Sequence, residues 1–256
     1  MSPRGSEAMR SAAAVVACLI VALASCRRAH ACGVSASGAP AGICDASEVL
    51  DEKAGAAKNR IGVSYGWTST VLFLDKLRAP TQRQAAMVSF EHPLPKHWTL
   101  EFGAGSLLAG FLDTDIGRAN FQPGVLADVS LSHLVLASTG YAKPFILTSF
   151  ALAGVWSRTT GAVSADYFAF DFSFDVATGI VLKVGRQSIS PFLAGRIFGG
   201  PVFWHYQGQD VTGGDAYHYS LGPGLAFSFE HSRVGLSFGG SVFGEKNAKA
   251  GVSLAF

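Results

Sequence analysis

The residues closest to a catalytic constellation are His218-Tyr219-Ser220. Side chains two apart on a β-strand share a face, so an imidazole at 218 could serve as base to a serine nucleophile at 220. A carboxylate has to orient such a ring, and Glu230, twelve residues on, falls at the opposite end of the strand. A rim His and Ser bonded to their neighbours is the competing reading. His205 and Asp210 offer two metal ligands in one outer loop with Trp204 and Tyr206, although an aromatic rim anchor with a solvated loop is far commoner for such residues. Gly103-Ala104-Gly105 and Gly222-Pro223-Gly224 lack the third glycine and the strand-to-helix setting of a dinucleotide fingerprint. The chain has no His-Glu-x-x-His zinc motif, Gly-x-Ser-x-Gly elbow or phosphate loop. The expectation is therefore a protein without catalytic, cofactor-binding or metal-binding residues.

His218-x-Ser220 resembles the His-x-Ser arrangement of outer-membrane lipid A deacylases. That family continues with Asn where this chain has Leu221. The elements around the pair have to decide whether it is a site.

Those elements are apolar. Charged residues make up 15% of the 256 and hydrophobic ones 49%, with 30 Gly, 19 Phe and a mean hydropathy of +0.30. That composition excludes intrinsic disorder. A formal charge of +2 without a dense basic block leaves no electrostatic footprint for nucleic acid.

Arg4 and Arg10 precede the uncharged stretch Ala12 to Ala24, the pattern of an export signal too short to span a membrane as a helix. Ala29-His30-Ala31 marks a cleavage site that makes 1–31 the signal peptide. Leu23-Ala24-Ser25-Cys26 offers lipidation at Cys26 instead, and Ala22-Leu23-Ala24 a cut before Ser25. Cleavage after Ala31 leaves Cys32 and Cys44 as a pair suited to a disulfide in an oxidising compartment, within a 32–58 periplasmic segment. Asp45 and Glu48 resemble a capping box for a short tethering helix over 45–59.

From residue 59 to 256 the period becomes two. Phe168, Phe170, Phe172, Phe174 and Val176 alternate with Ala169, Asp171, Ser173, Asp175 and Ala177. The same contrast of large apolar and small or polar faces recurs in ten runs, near 59–74, 80–92, 96–109, 120–133, 143–157, 166–183, 190–204, 214–229, 232–243 and 246–256. Eight strands result if 143–157 or 232–243 is misread. An apolar chain without a mature apolar run of 18 residues cannot cross a membrane as helices, whereas a closed barrel needs no such run. The fold predicted is all-β, an antiparallel up-and-down transmembrane β-barrel with its large apolar face outward. A soluble sandwich or lipocalin-like barrel is the rival, but the faces opposite its Phe rows would have to be charged.

An even strand count puts both chain ends on the periplasmic side, with His92 to His97 and Glu230-His231-Ser232 as periplasmic turns. Gly110 to Asn120, Arg158 to Ala165 and His205 to Gly214 are then external loops. Trp67, Trp156, Tyr167, Trp204, Tyr217 and Tyr219 gather at the external rim, and Trp98, Tyr141 and Phe256 at the other.

Gly251-Val252-Ser253-Leu254-Ala255-Phe256, apolar at every second position back from a terminal Phe, resembles the last strand of bacterial outer-membrane β-barrel proteins. The resemblance implies an outer-membrane location, lipid as surroundings, and Val252, Leu254 and Phe256 as the signal read by the barrel assembly machinery.

The face assignment sends Arg83, Glu91, Glu101, Asp128, Asp171, Asp175, Arg196, His218 and Lys249 inward. Mixed charges there either fill a narrow lumen with ion pairs or line a path for small solutes, biased toward cations by Asp128, Asp171 and Asp175. The expectation is a largely filled lumen and a non-enzymatic envelope protein whose outer loops contact surface ligands. A narrow cation-leaning channel is the alternative, and a deacylase-like hydrolase using His218 and Ser220 the more distant one.

Overall fold

The computed structural model describes residues 58–75, 77–136, 142–206, 209–229 and 233–256. The export signal, the Cys32/Cys44 loop, residues 45–57, Tyr141 and the turn Glu230-His231-Ser232 lie outside them. Alternation of large apolar with small or polar residues produces fourteen strands: β1 (Arg60–Leu74), β2 (Leu77–Leu94), β3 (Trp98–Thr114), β4 (Gly117–Phe121), β5 (Gly124–Leu136), β6 (Ala142–Gly161), β7 (Ala165–Val184), β8 (Gln187–Gly199), β9 (Val202–Tyr206), β10 (Gln209–Asp215), β11 (Tyr219–Phe229), β12 (Val234–Ser241), β13 (Phe243–Gly244) and β14 (Lys246–Ala255). All pairings are antiparallel, and the sheet closes on itself.

The closed wall has a different strand count at its two ends. At the proximal end, where β1 begins and β14 stops, the ring runs β1-β2-β3-β5-β6-β7-β8-β11-β12-β14 and has ten strands. At the distal end it runs β1-β2-β3-β4-β6-β7-β9-β10 and closes by Leu72↔Asp215 to Leu74↔Gly213, which makes eight. The short β12–β14 hairpin is a wedge in the lower wall, and β1 joins β10 above it. The ten strands expected therefore form the proximal ring, the runs 143–157 and 232–243 prove to be strands, and eight is the count at the distal end alone. Barrel diameter follows strand number, so the cylinder tapers distally.

Two local features make the wedge. Gly244, at φ 73°, turns the chain between β13 and β14, a conformation that favours glycine. At Gly222, where β11 passes from β12 to β13, a Cβ would lie 1.8 Å from the Gly240 carbonyl oxygen, so only glycine lets the strands meet. The Glu245 amide donates to Tyr219 O at 3.1 Å, and the Ser241 hydroxyl donates to Glu245 O.

Between β10 and β11 the register against β9 and β8 slips by one residue, from Gln209↔Tyr206 to Tyr219↔Ile197. This bulge over 216–218 exchanges inward for outward parity. Asp215 on β10 and Ser220 on β11 therefore both face in, and His218 between them is exposed.

The segments expected as external loops are largely strand. Only Asp115 and Ile116 separate β3 from β4, residues 162–164 separate β6 from β7, and β9 and β10 cover most of His205 to Gly214. The reason is chemical: beyond the lipid-facing band the outward positions turn polar, which reads as loop, yet complementary polar side chains face each other across the ladder. Asp113↔Arg118, Arg158↔Asp166 and Asp210↔His205 are direct register partners on the three hairpins. Asp113–Arg118 and Arg158–Asp166 are ion pairs with closest distances of 2.6 and 3.9 Å, and His205 and Asp210 share a hydrogen bond of 2.7 Å.

Candidate functional site

The barrel is inverted relative to a soluble one. Phe150, Phe172 and Ile197 face outward at 60%, 55% and 64% exposure, while Glu101 is fully buried inside. Trp67, Trp156, Tyr217 and Tyr219 lie on outward positions toward the distal end, and Phe256 lies beside Phe90 at the proximal end with ring centroids 6.5 Å apart. Trp98 is half-buried against His133 at 4.5 Å.

Tyr167 and Trp204 correct the girdle expected from the sequence. Both point inward, at 0% and 2% exposure, because they share parity with Ala169 and Val202 rather than with the outward Phe168 and Phe203. They anchor a plug where the wall has narrowed. Leu72, Leu74, Leu107, Leu112 and Phe121 pack with them. Tyr167 meets Phe121 edge-on at 4.9 Å, and Trp204 Nε1 donates to Thr159 Oγ1 at 3.3 Å, leaving the indole nitrogen satisfied.

A charged belt lies beneath the plug. Arg196 on β8 donates to Asp171 Oδ2 at 2.5 Å and approaches Asp175 Oδ1 at 3.6 Å, both on the adjoining β7. Ser173 donates to Asp175 at 3.0 Å. Across the lumen Arg83 reaches Glu245 at 4.0 Å, and Thr70 donates to Asp215 at 3.1 Å. These groups surround a cavity of about 80 Å³ lined by Asp171, Asp215, Glu245, Arg83 and Arg196. Glu101, Asp128 and Lys249 are buried at inward positions of the same lumen.

The proximal layer combines an apolar cluster with an ion pair. Leu134, Phe145, Leu147, Val181 and Phe192 pack on one side, and Arg60 faces its register partner Glu91 at 3.9 Å on the other. The lumen is thus apolar, charged and mixed in succession, with side chains in every layer.

Of the nine charged or titratable residues expected inside, Arg83, Glu91, Glu101, Asp128, Asp171, Asp175, Arg196 and Lys249 occupy inward positions, and His218 is exposed. Arg60, Asp215 and Glu245 are further inward charges. Parity alone points to two of them, since Arg60 continues Gly62 and Ser64 while Glu245 continues Asn247 and Lys249. Asp215 is displaced by the bulge, which leaves no mark in the alternation. His218 and Ser220 occupy opposite environments, one exposed and the other buried facing the lumen, and Glu230 lies outside the described residues. His205 and Asp210 bond each other at 2.7 Å, and no group of three metal-ligating side chains occurs among the described residues.

The Asp113–Arg118 pair on the distal hairpin has a consequence for pH. Arg118 donates from Nε and Nη2 to the two carboxylate oxygens at 2.6 and 2.9 Å, and these hydrogen bonds hold Asp113 below its ordinary 3.8. A depressed carboxylate stabilises the fold above its unfolded value, and that contribution disappears as pH falls through the folded value. The Asp113 carboxyl carbon, followed by NMR, is expected to titrate below 3.8 in the wild type and to return toward it in Arg118→Gln. A wild-type midpoint at or above 3.8 contradicts the assignment.

The chain matches no protein-family model and no curated protein. Among solved structures it is similar to bacterial outer-membrane β-barrels. The translocator domain of autotransporter NalP from Neisseria meningitidis shares 10% identity at a TM-score of 0.40, covering 84% of this chain and 93% of that one. The outer membrane protein OprG from Pseudomonas aeruginosa shares 10% identity at 0.43, covering 78% and 96%. Neisserial surface protein A shares 11% identity at 0.37, covering 79% and 99%.

Proposed function

We propose that this chain is a bacterial outer-membrane barrel with a closed lumen, a non-enzymatic envelope scaffold that presents its distal end as a contact surface. The observation that carries the closed lumen is the succession of filled layers from Trp204 and Tyr167 through the Arg196 and Arg83 pairs to Phe145 and Phe192. The outward aromatic and aliphatic face supports the membrane setting, because water would penalise it and hydrocarbon does not. Export through a cleaved signal over 1–31 and a Cys32–Cys44 disulfide complete the reading. Recognition by the barrel assembly machinery would use Val252, Leu254 and Phe256 on the last strand and its end, of which Val252 and Phe256 are exposed.

A narrow channel is the second reading, favoured by the 80 Å³ cavity, where three carboxylates face two guanidiniums. Conductance in a planar bilayer separates the two, with a boiled-versus-unboiled gel shift certifying the refolded barrel. Silence is the expected result. Discrete, cation-selective steps would overturn the closed lumen and make Asp171 and Asp215 the next residues to neutralise.

A further inference from the structure

Above the plug the distal mouth opens into a cup of about 300 Å³, separate from the charged belt. Its floor is formed by Leu74 and Trp204, and its walls by Leu77, Ile116, Val163 and Val211. That volume sits at the lower end of the roughly 300–1,000 Å³ of small-molecule sites, and the predominance of apolar lining is what such sites share.

The cup is preformed. Its walls come from four hairpins that are bonded to one another, with the Asp75 amide donating to Thr212 O at 3.2 Å, Ala162 to Arg118 O at 3.1 Å and Gln122 to Arg158 O at 2.8 Å. The short connections at 115–116 and 162–164 leave little chain to collapse into the space. Binding there carries a small ordering cost.

Charge then selects the occupant. The ionisable side chains lining the cup, among the described residues, are the exposed carboxylates Asp75 and Asp115, each on a different hairpin turn beside an apolar wall residue. The neighbouring Asp113 is engaged by Arg118, whose guanidinium lies over Phe111 at 3.8 Å and is thereby held on the hairpin. An apolar floor beneath two exposed carboxylates fits a small molecule with an apolar body and a cationic head.

We infer that the distal cup binds small hydrophobic ammonium compounds, with the apolar group on Leu74 and Trp204 and the ammonium between Asp75 and Asp115. This deepens the surface-contact reading by naming the ligand class, and it does not depend on whether the lumen conducts.

The test uses the full chain in lipid nanodiscs, methyl-labelled and titrated with benzylammonium, benzyl alcohol and benzoate. Saturable shifts are expected at the Leu74, Leu77, Ile116, Val163 and Val211 methyls, with benzylammonium tightest and benzoate weakest. Asp75→Asn with Asp115→Asn is expected to weaken benzylammonium about three- to tenfold, the effect of removing two exposed charge contacts, while benzyl alcohol is unchanged. Asn tolerates the positive φ of 55° at position 75, so the turn persists. Val163→Trp, which fills the cup, is expected to abolish shifts from all three compounds. Unsaturable shifts, equal affinity for benzoate, or no response of benzylammonium to the double variant would each overturn the proposal. Unchanged Val252 methyls at the other end of the barrel certify each variant as folded.

Discussion

Arg196→Ala is expected to lower the unfolding free energy by roughly 3–5 kcal/mol, the cost typical of removing one partner from a buried ion pair. Arg196 is the counter-charge of two carboxylates on the neighbouring strand, with Asp171 at 2.5 Å and Asp175 at 3.6 Å. Its guanidinium also lies 4.9 Å from the Phe198 ring centroid, so the alanine loses packing as well as charge. The carboxylates it leaves behind remain in a lumen enclosed by the plug above and the Phe145 cluster below, where Asp175 is buried and only Asp171, beside the small cavity, is partly open to water. The comparison that isolates charge is the triple variant Arg196→Met, Asp171→Asn, Asp175→Asn, which removes all three charges and is expected to recover most of the stability. Urea unfolding in lipid vesicles, followed by tryptophan fluorescence, measures both. A loss below about 1 kcal/mol for Arg196→Ala, the range of exposed pairs, would mean that the belt is hydrated and the lumen open.

Trp204→Ala is expected to breach the distal plug. The indole fills the inner side of the eight-stranded end, and its removal takes away about 3 kcal/mol or more of packing. At 1.4 kcal/mol per factor of ten, that raises access through the plug about a hundredfold. The reporter is Ala169→Cys, because Ala169 faces inward, is buried, and lines the cavity below the plug. The described strands hold no cysteine, so the native Cys18, Cys26, Cys32 and Cys44 are changed to serine without touching the wall. A cationic methanethiosulfonate applied in solution should label the introduced thiol slowly while Trp204 is present, and about a hundredfold faster once Trp204→Ala is added. Equal rates would show that the plug does not seal the lumen. The wall should survive the substitution, since its backbone hydrogen bonds run from strand to strand and do not pass through the plug.

Much of this barrel is legible in its residues. The Phe168 to Phe174 row announces an outward face, and the opposing Asp171, Ser173 and Asp175 an inward one, because side-chain direction in a strand follows parity. Parity also places Arg83, Glu101, Asp128, Arg196 and Lys249 on inward positions. Where expectation and structure part, height along the barrel competes with parity, and parity wins. Tyr167 and Trp204 lie at the height of the distal girdle, yet their parity is that of Ala169 and Val202, and they point inward. The expected external loops differ for a related reason. Arg118, Arg158 and His205 are polar because they lie beyond lipid, and each has a carboxylate partner across the ladder that keeps its segment in the sheet.

Strand class, inside-out polarity and antiparallel order follow from the residues alone, since alternation and short connections are local properties of the chain. The taper from ten strands to eight, the inward turn of Asp215 and the exposure of His218 arise only on folding. They depend on where β1 leaves β14 for β10 and on a one-residue bulge over 216–218. The two closing partners of β1 lie more than a hundred residues away, and which of them it meets at each height is decided by which inward side chains fill a narrowing cylinder, a choice that no window of sequence contains.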